Sequence, residues 1–194
     1  METENIKVEA IRADLWPQLA EVFGEPGDAS GCWCQWFKLT GTQNRELPRD
    51  AKAARLRESI AGDPAPGVIA WINDEPVGWA AVEPFSAYPS LGRSPITKRL
   101  ADDPLDPWAV TCFVVRHDFR RRGVAAALLR GAVDHATAQG AVVVEGYPVD
   151  TAVRPSLSSA ERYHGTVSLF ESAGFHEVRR PSATRAVMRF EPAA

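Results

Sequence analysis

The chain has only three cysteines in 194 residues, an odd number. A framework of paired disulfides is therefore not expected, and a reducing cytoplasm suits such a chain. No apolar run approaches the length of a bilayer span, so no membrane partner is expected. The N-terminus, METENIKVEA, is acidic and lacks the apolar centre of a secretory signal. Charge of one sign is also missing. The 22 Lys and Arg stand against 25 Asp and Glu, a net charge of −3. That balance excludes a broad basic surface, and no nucleic acid is expected as partner. Neither Gly-x-x-x-x-Gly-Lys-Ser/Thr nor Gly-x-Gly-x-x-Gly occurs, which argues against a nucleotide- or dinucleotide-binding α/β protein. Internal repeats and low-complexity tracts are absent too.

What is present is an ordinary globular composition, 45% hydrophobic and 24% charged. The length suits one domain over residues 1–194 with a sizeable core. Ile6 to Ile11 alternates apolar and polar, as a first strand does. Asp14 is placed to cap the next helix, with Pro17 in its first turn and Leu15, Leu19, Val22 and Phe23 on one face. Gly24 to Gly31 interrupts that helix. A dense aromatic patch follows: Cys32, Trp33, Cys34, Gln35, Trp36, Phe37. Pro48 to Ile60 reads as a second helix with Leu56 and Ile60 inward. Val68 to Ile72 and Val77 to Val82 form a hairpin around Asn73-Asp74-Glu75-Pro76. Glu83 to Pro107 is rich in Pro, Ser and Asp and reads as a long loop, with a short helix near Ile96 to Leu100. Loops of this length in a compact domain are usually functional.

The stretch from Ala109 to Gly146 is the most informative: AVTCFVVRHDFRRRGVAAALLRGAVDHATAQGAVVVEG. A strand at Val110 to Val115 enters a helix through Arg120-Arg121-Arg122-Gly123-Val124-Ala125-Ala126, and Ala141 to Tyr147 returns as a strand. The first turn of a helix has N–H groups with no intrahelical partner, and its dipole adds positive charge there. Diphosphates bind such ends. Gly123 lets the backbone approach a ligand, and the three arginines can pair with phosphate oxygens. Two strands joined by a helix imply a parallel, right-handed crossover.

This segment resembles the Gcn5-related N-acetyltransferase superfamily. Arg120, Gly123 and Ala125 match its Arg/Gln-x-x-Gly-x-Gly/Ala pattern. Leu169 to Phe175 looks like the family's later helix ending in Gly-Phe, and Arg185 to Phe190 like its last strand. The resemblance covers the chain from about Val68 onward. It implies the acyl-CoA N-acyltransferase fold, an α/β (α+β) mixed sheet of about six to seven strands flanked by helices. It also implies that two central parallel strands splay apart to admit the thioester arm of acetyl-CoA.

The implied activity is acetyl transfer from acetyl-CoA to a primary amine, with a small-molecule acceptor, through a ternary complex. Backbone amides of Arg121 to Ala126 would hold the diphosphate, with Arg120, Arg121 or Arg122 adding charge. Backbone groups of Phe113, Val114 and Val115 would pair with the pantetheine amides, and an N–H near Phe113 would face the thioester oxygen. Glu145, a carboxylate in an apolar strand, is the first candidate for general base, and Glu83 the second. The family's usual acid is a tyrosine at the position held here by Phe170. Tyr163 and Tyr147 are the substitutes, and Phe170 is assigned to packing against the pantetheine arm. His164 could act as a base, though a polar cap or surface role is the commoner reading, and His117 reads as solvent-facing.

The acceptor pocket is assigned to Trp33, Trp36 and Phe37, with Trp108 beside it. An aromatic, mildly acidic pocket would suit a cationic acceptor. Cys32 and Cys34 lack the two-residue spacing of zinc sites and have no second pair, so no metal is expected. Cys112 has no evident paired base, which argues against a covalent acyl-enzyme. The alternatives are a catalytically silent acyl-CoA sensor, which the missing tyrosine favours, and an acetyltransferase for peptide or protein amines. Relatives are often homodimers, so a homodimer is a further expectation.

Overall fold

The computed structural model describes residues 5–24, 28–104, 106–156, 158, 161 and 163–192. Seven strands form one sheet in the spatial order β1-β2-β3-β4-β5-β7-β6. They are β1 (Ile6–Ala10), β2 (Gly67–Ile72), β3 (Glu75–Pro84), β4 (Trp108–Val115), β5 (Val144–Gly146), β6 (His176–Ser182) and β7 (Arg185–Phe190). Neighbouring strands run antiparallel except β4 and β5, which are parallel. The mixed sheet expected from the sequence is thus present.

The β2–β3 hairpin turns at Asn73 and Asp74, both with positive φ (49° and 62°). Asn and Asp tolerate that region, and two such residues match the right-handed strand twist. Crossover from β4 to β5 runs through α6 (Val124–Ala138). Its inward stripe includes Val124, Leu128, Leu129, Ala132 and Ala136, and it packs on one sheet face with Phe170 and Phe175. Phe170 belongs to α7 (Val167–Ser172).

The opposite face carries α1 (Trp16–Phe23), α2 (Asp28–Cys32) and α4 (Arg49–Ile60). Leu19, Val22, Phe23, Leu56 and Ile60 bury there against Ile69, Trp79 and Val114. Two short helices complete that side: α3 (Gly41–Glu46) and α5 (Pro89–Arg93).

Four local expectations are corrected. Asp14 does not cap α1; it lies in a 3-10 turn, Ala13–Leu15, and pairs with Arg12 at 3.3 Å. The expected strand Ala141 to Tyr147 pairs over only Val144–Gly146. Helix in the long loop occurs at Pro89–Arg93, where Pro89 supplies the first-turn φ, while Ile96 to Leu100 is turn and coil. Finally, α3 was not expected, although Thr40-Gly41-Thr42-Gln43 spells a capping box. The Thr40 hydroxyl accepts from the Gln43 N–H, and the Gln43 side chain accepts from the Thr40 N–H.

Candidate active site

A bulge creates the site. Ala81 pairs with Cys112 but Val82 pairs with Val110, so Thr111 is the extra residue in β4. A bulge bends its strand and re-aims the residues beyond it. β5 pairs with β4 only through Trp108↔Val144, Ala109↔Glu145 and Val110↔Gly146. From Thr111 onward β4 has no β5 beside it, and a gap opens between the two parallel strands.

Residues 163–165 lie along that gap. The Phe113 N–H donates to the Tyr163 carbonyl at 2.7 Å. This corrects the expectation for Phe113, whose N–H already has an acceptor. Successive strand residues present their backbone groups to alternate edges, so those of Val114 serve β3 and those of Val115 face the gap. The Val114 oxygen lies against Gly78 of β3, while Arg120 Nε donates to the Val115 carbonyl at 3.3 Å.

At the end of β4 the chain reaches α6 through the arginine turn. Gly123, the N-cap of α6, has φ +84°, and no side chain caps the helix. Only Ile6 Cδ1 lies within 4 Å of where a Gly123 Cβ would stand, at 3.9 Å. The Ala127 N–H is the first to reach a helical acceptor, Gly123 O at 3.0 Å. The N–H groups of Val124, Ala125 and Ala126 therefore have no backbone acceptor among the described residues. Arg120 and Arg121 are exposed, and Arg122 lies over the Phe119 ring at 4.7 Å. A trough of about 410 Å³ runs from this turn along Val115 and Val114 to Tyr163.

The trough meets a larger cavity of about 730 Å³, sharing Phe23, Ala29, Val114 and Tyr163 with it. Its walls are mostly apolar and include Cys34, Trp36, Phe37 and Cys112. Trp36 is 61% exposed at the rim, and the Phe37 ring tilts against His164 with centroids 5.5 Å apart. Ionisable groups on the walls are Arg45, Lys52, Arg185, Glu161 and His164. The lining is thus more basic than acidic, contrary to the expectation of an acidic pocket.

His164 Nδ1 sits 3.2 Å from the Thr111 carbonyl. A carbonyl only accepts, so Nδ1 carries the proton and Nε2 is the acceptor. Burial, and next the charge of Arg185, pull the imidazole down to a pKa of about 4, so it is neutral at pH 7. The Cys112 thiol sits against Cys34, and that contact together with burial pushes its pKa well above the ordinary value.

Several expected site residues lie elsewhere. Glu145 is buried at 4% exposure, bound by Arg189 Nη2 at 2.7 Å and by the Tyr147 hydroxyl at 3.2 Å, with Arg99 3.9 Å away. Those partners occupy the carboxylate, and neither Glu145 nor Tyr147 lines the cavity. Burial, then the Glu145 charge, pushes the Tyr147 phenol well above its ordinary value. Glu83 pairs with Lys38 at 2.6 Å; burial raises its pKa against the pull of Lys38. It too is off the cavity wall.

Trp33 is core, stacked between Trp16 and Phe23 at 5.5 and 4.5 Å. Trp108 faces the α6 side of the sheet, edge-on to His135 at 5.6 Å. Phe170 is fully buried, its ring beneath Gly146 and edge-on to Phe113 at 6.0 Å. Tyr163, Trp36 and Phe37 do reach the cavity.

Thr111, Lys52 and Arg185 were missed, and His164 was set aside. Lys52 had a sequence signal: it stands four residues before Leu56 and eight before Ile60, on the same helical stripe. Arg185 and Thr111 had none.

Comparison with known proteins gives this geometry a family. The sequence matches the acetyltransferase (GNAT) family over residues 10–165. No curated protein matches the chain. Among solved structures, the GNAT domain of S. lividans PAT superposes with a TM-score of 0.55 at 17% identity, over 96% of this chain and 90% of that one. The PaiA N-acetyltransferase of Thermoplasma acidophilum, in complex with coenzyme A, superposes at 0.54 with 11% identity, over 97% and 99%. The ribosomal-protein-S18-alanine N-acetyltransferase of Escherichia coli does so at 0.50 with 14% identity, over 96% and 94%. With its splayed β4–β5 pair, its uncapped arginine turn and a match spanning residues 10–165, this chain belongs to the GNAT family of acetyltransferases.

Proposed function

We propose that the protein transfers acetyl from acetyl-CoA to the primary amine of a small molecule, directly in a ternary complex. The observation that carries this is the open end of α6, with a trough that starts at Arg120 in the turn before it and leads along β4 to an apolar cavity at the splay. The α6 N-terminus fits a diphosphate: free N–H groups, a left-handed glycine with open space beyond it, and Arg120 and Arg121 alongside. Acetyl-CoA supplies the acetyl group as a thioester. The Val115 edge of β4 guides the arm, and the 163–165 segment borders its path.

The amine attacks the thioester carbon, forming the C–N bond; the C–S bond breaks as the intermediate collapses, and the nitrogen gives up its second proton, which replaces the one the departing thiolate takes. The neutral imidazole of His164, with Nδ1–H fixed on Thr111, presents Nε2 as acceptor for the ammonium proton. The Tyr163 hydroxyl, on a residue shared by trough and cavity, is the candidate donor to the departing thiolate. Direct transfer is supported by the setting of Cys112, a buried thiol against Cys34 whose raised pKa disfavours the thiolate. The bounded cavity supports a small acceptor over an extended chain.

The test is a thermal-shift comparison of CoA, ATP and NAD, followed by acetyl-CoA turnover on an amine panel read by released thiol. Selective stabilisation by CoA with turnover supports the reading. Stabilisation without turnover supports a silent sensor, and no stabilisation by CoA refutes both.

A further inference from the structure

Buried cations in this chain are generally paired. Lys38 meets Glu83 at 2.6 Å, and Arg189 meets Glu145 at 2.7 Å. Burying a charge is costly unless a partner offsets it, so this is the expected arrangement. The large cavity breaks the pattern.

Lys52 is 8% exposed, and its ammonium donates to two carbonyls, Asn44 O at 2.7 Å and Gly31 O at 3.3 Å. An ammonium has three donors, so one is left over among the described residues. Arg185 is partly buried, and among the described residues its side chain makes one hydrogen bond, to the Tyr147 carbonyl at 3.3 Å. Neither cation has a carboxylate within 4.0 Å among the described residues. The acid on the same wall, Glu161, is engaged by Arg154 at 2.6 Å and by Ser158 at 2.7 Å. Two cations therefore border an apolar cavity without a carboxylate in ion-pair range among the described residues, Arg185 feeling the charge of Glu161 only from beyond that range, and exposed Arg45 adds a third at the rim.

We propose that the acceptor is an amine that also carries a carboxylate, an amino acid with an apolar body, and that Arg185 and Lys52 receive the carboxylate. This rests on the acetyltransferase reading and names the substrate class of the same site. A simple amine arrives as an ammonium and is repelled by these cations. A carboxylate on the same molecule reverses the sign. The guanidinium of Arg185 has five donors in a planar fork and can grip a carboxylate with two of them. The apolar walls at Phe37, Cys34 and Val114 suit the rest of the molecule.

The same contact would act on the base. Arg185 is the second largest cause of the low His164 pKa. A carboxylate at Arg185 would offset that charge, so a correct acceptor would strengthen the base that takes its proton.

The experiment is calorimetric titration of the full chain, with and without saturating CoA. Probes are the twenty amino acids, the amine left by decarboxylating each binder, and spermidine. Charge-assisted contacts of this kind are worth about tenfold to a hundredfold in affinity. At least one amino acid should bind at least tenfold tighter than its decarboxylated partner. Arg185→Gln should erase that advantage, and Arg185→Lys should retain part of it. Lys52→Met, with folding checked by circular dichroism, should weaken the amino acid and tighten its decarboxylated partner, which loses a repelling charge. Equal or tighter binding of the decarboxylated amine, tightest binding of spermidine, or no binding by any amino acid overturns the proposal. The CoA titration alone separates the two ideas: failure there removes the acetyltransferase reading, while the matched-pair comparison still decides the cavity's preference.

Discussion

The neutral His164 makes stability depend on pH in a way that one substitution isolates. Its ordinary pKa is 6.5, and the folded chain holds it at about 4, through burial first and Arg185 second. The unfolded chain therefore binds a proton more readily than the folded one between those values. Above pH 6.5 both states are neutral and the stability is fully present. As pH falls from 6.5 towards 4, protonation draws the chain towards the unfolded state. Below 4 both states are protonated and the loss is complete. At about 1.4 kcal/mol per pH unit the gap corresponds to roughly 3 kcal/mol. The residue keeps some solvent contact, so about 2 kcal/mol is the expected figure. Urea unfolding followed by tryptophan fluorescence at pH 7.5, 6.5, 5.5, 4.5 and 4 measures it. Carboxylates titrate in the same range, so the informative quantity is wild type minus His164→Gln. Glutamine can still donate to the Thr111 carbonyl but cannot titrate. The difference should move by about 2 kcal/mol against the wild type between pH 7.5 and 4. Two curves that stay parallel across that range would refute the buried neutral imidazole and its role as base.

Four more outcomes follow from single contacts. Gly123→Val places a β-branched residue at φ +84°; it should cost about 1–2 kcal/mol and abolish CoA binding, measured by denaturation and calorimetry. Glu145→Gln removes the partner of Arg189, which keeps Asp103 at 3.0 Å; a loss of about 2–4 kcal/mol in stability is expected, with no new pKa in the rate profile. Gly146→Ala drives a methyl into the Phe170 ring, so overpacking should lower stability by about 1–3 kcal/mol in thermal unfolding. Cys112→Ser should retain turnover; loss of activity with normal CoA binding would argue for a covalent acyl-enzyme after all.

The turn that opens α6 was legible because it is local. Arg120, Gly123 and Ala125 stand within one turn, and the uncapped helix start follows from their order alone. The hairpin at Asn73-Asp74, the strand Val110 to Val115 and the amphipathic helix after Gly123 were legible for the same reason: period and turn chemistry are written in neighbouring residues. The catalytic assignments were less legible. A glutamate in an apolar strand reads the same whether it waits for a substrate or grips an arginine on the next strand. Only the β5–β7 register, Glu145↔Arg189, shows which. The tryptophans misled similarly: six are present, and nothing local distinguishes Trp33 in the core from Trp36 at the rim.

Sequence alone thus carried the family resemblance, the succession of strands along the chain and the glycine turn that opens α6, since each depends on residues a few positions apart. Tertiary structure decided the large cavity. Lys52 from α4, Thr111 from a bulge in β4, His164 from the 163–165 segment and Arg185 from β7 meet there across long stretches of chain. Their charges and protonation states come from burial and from one another, and those exist only once the chain has folded.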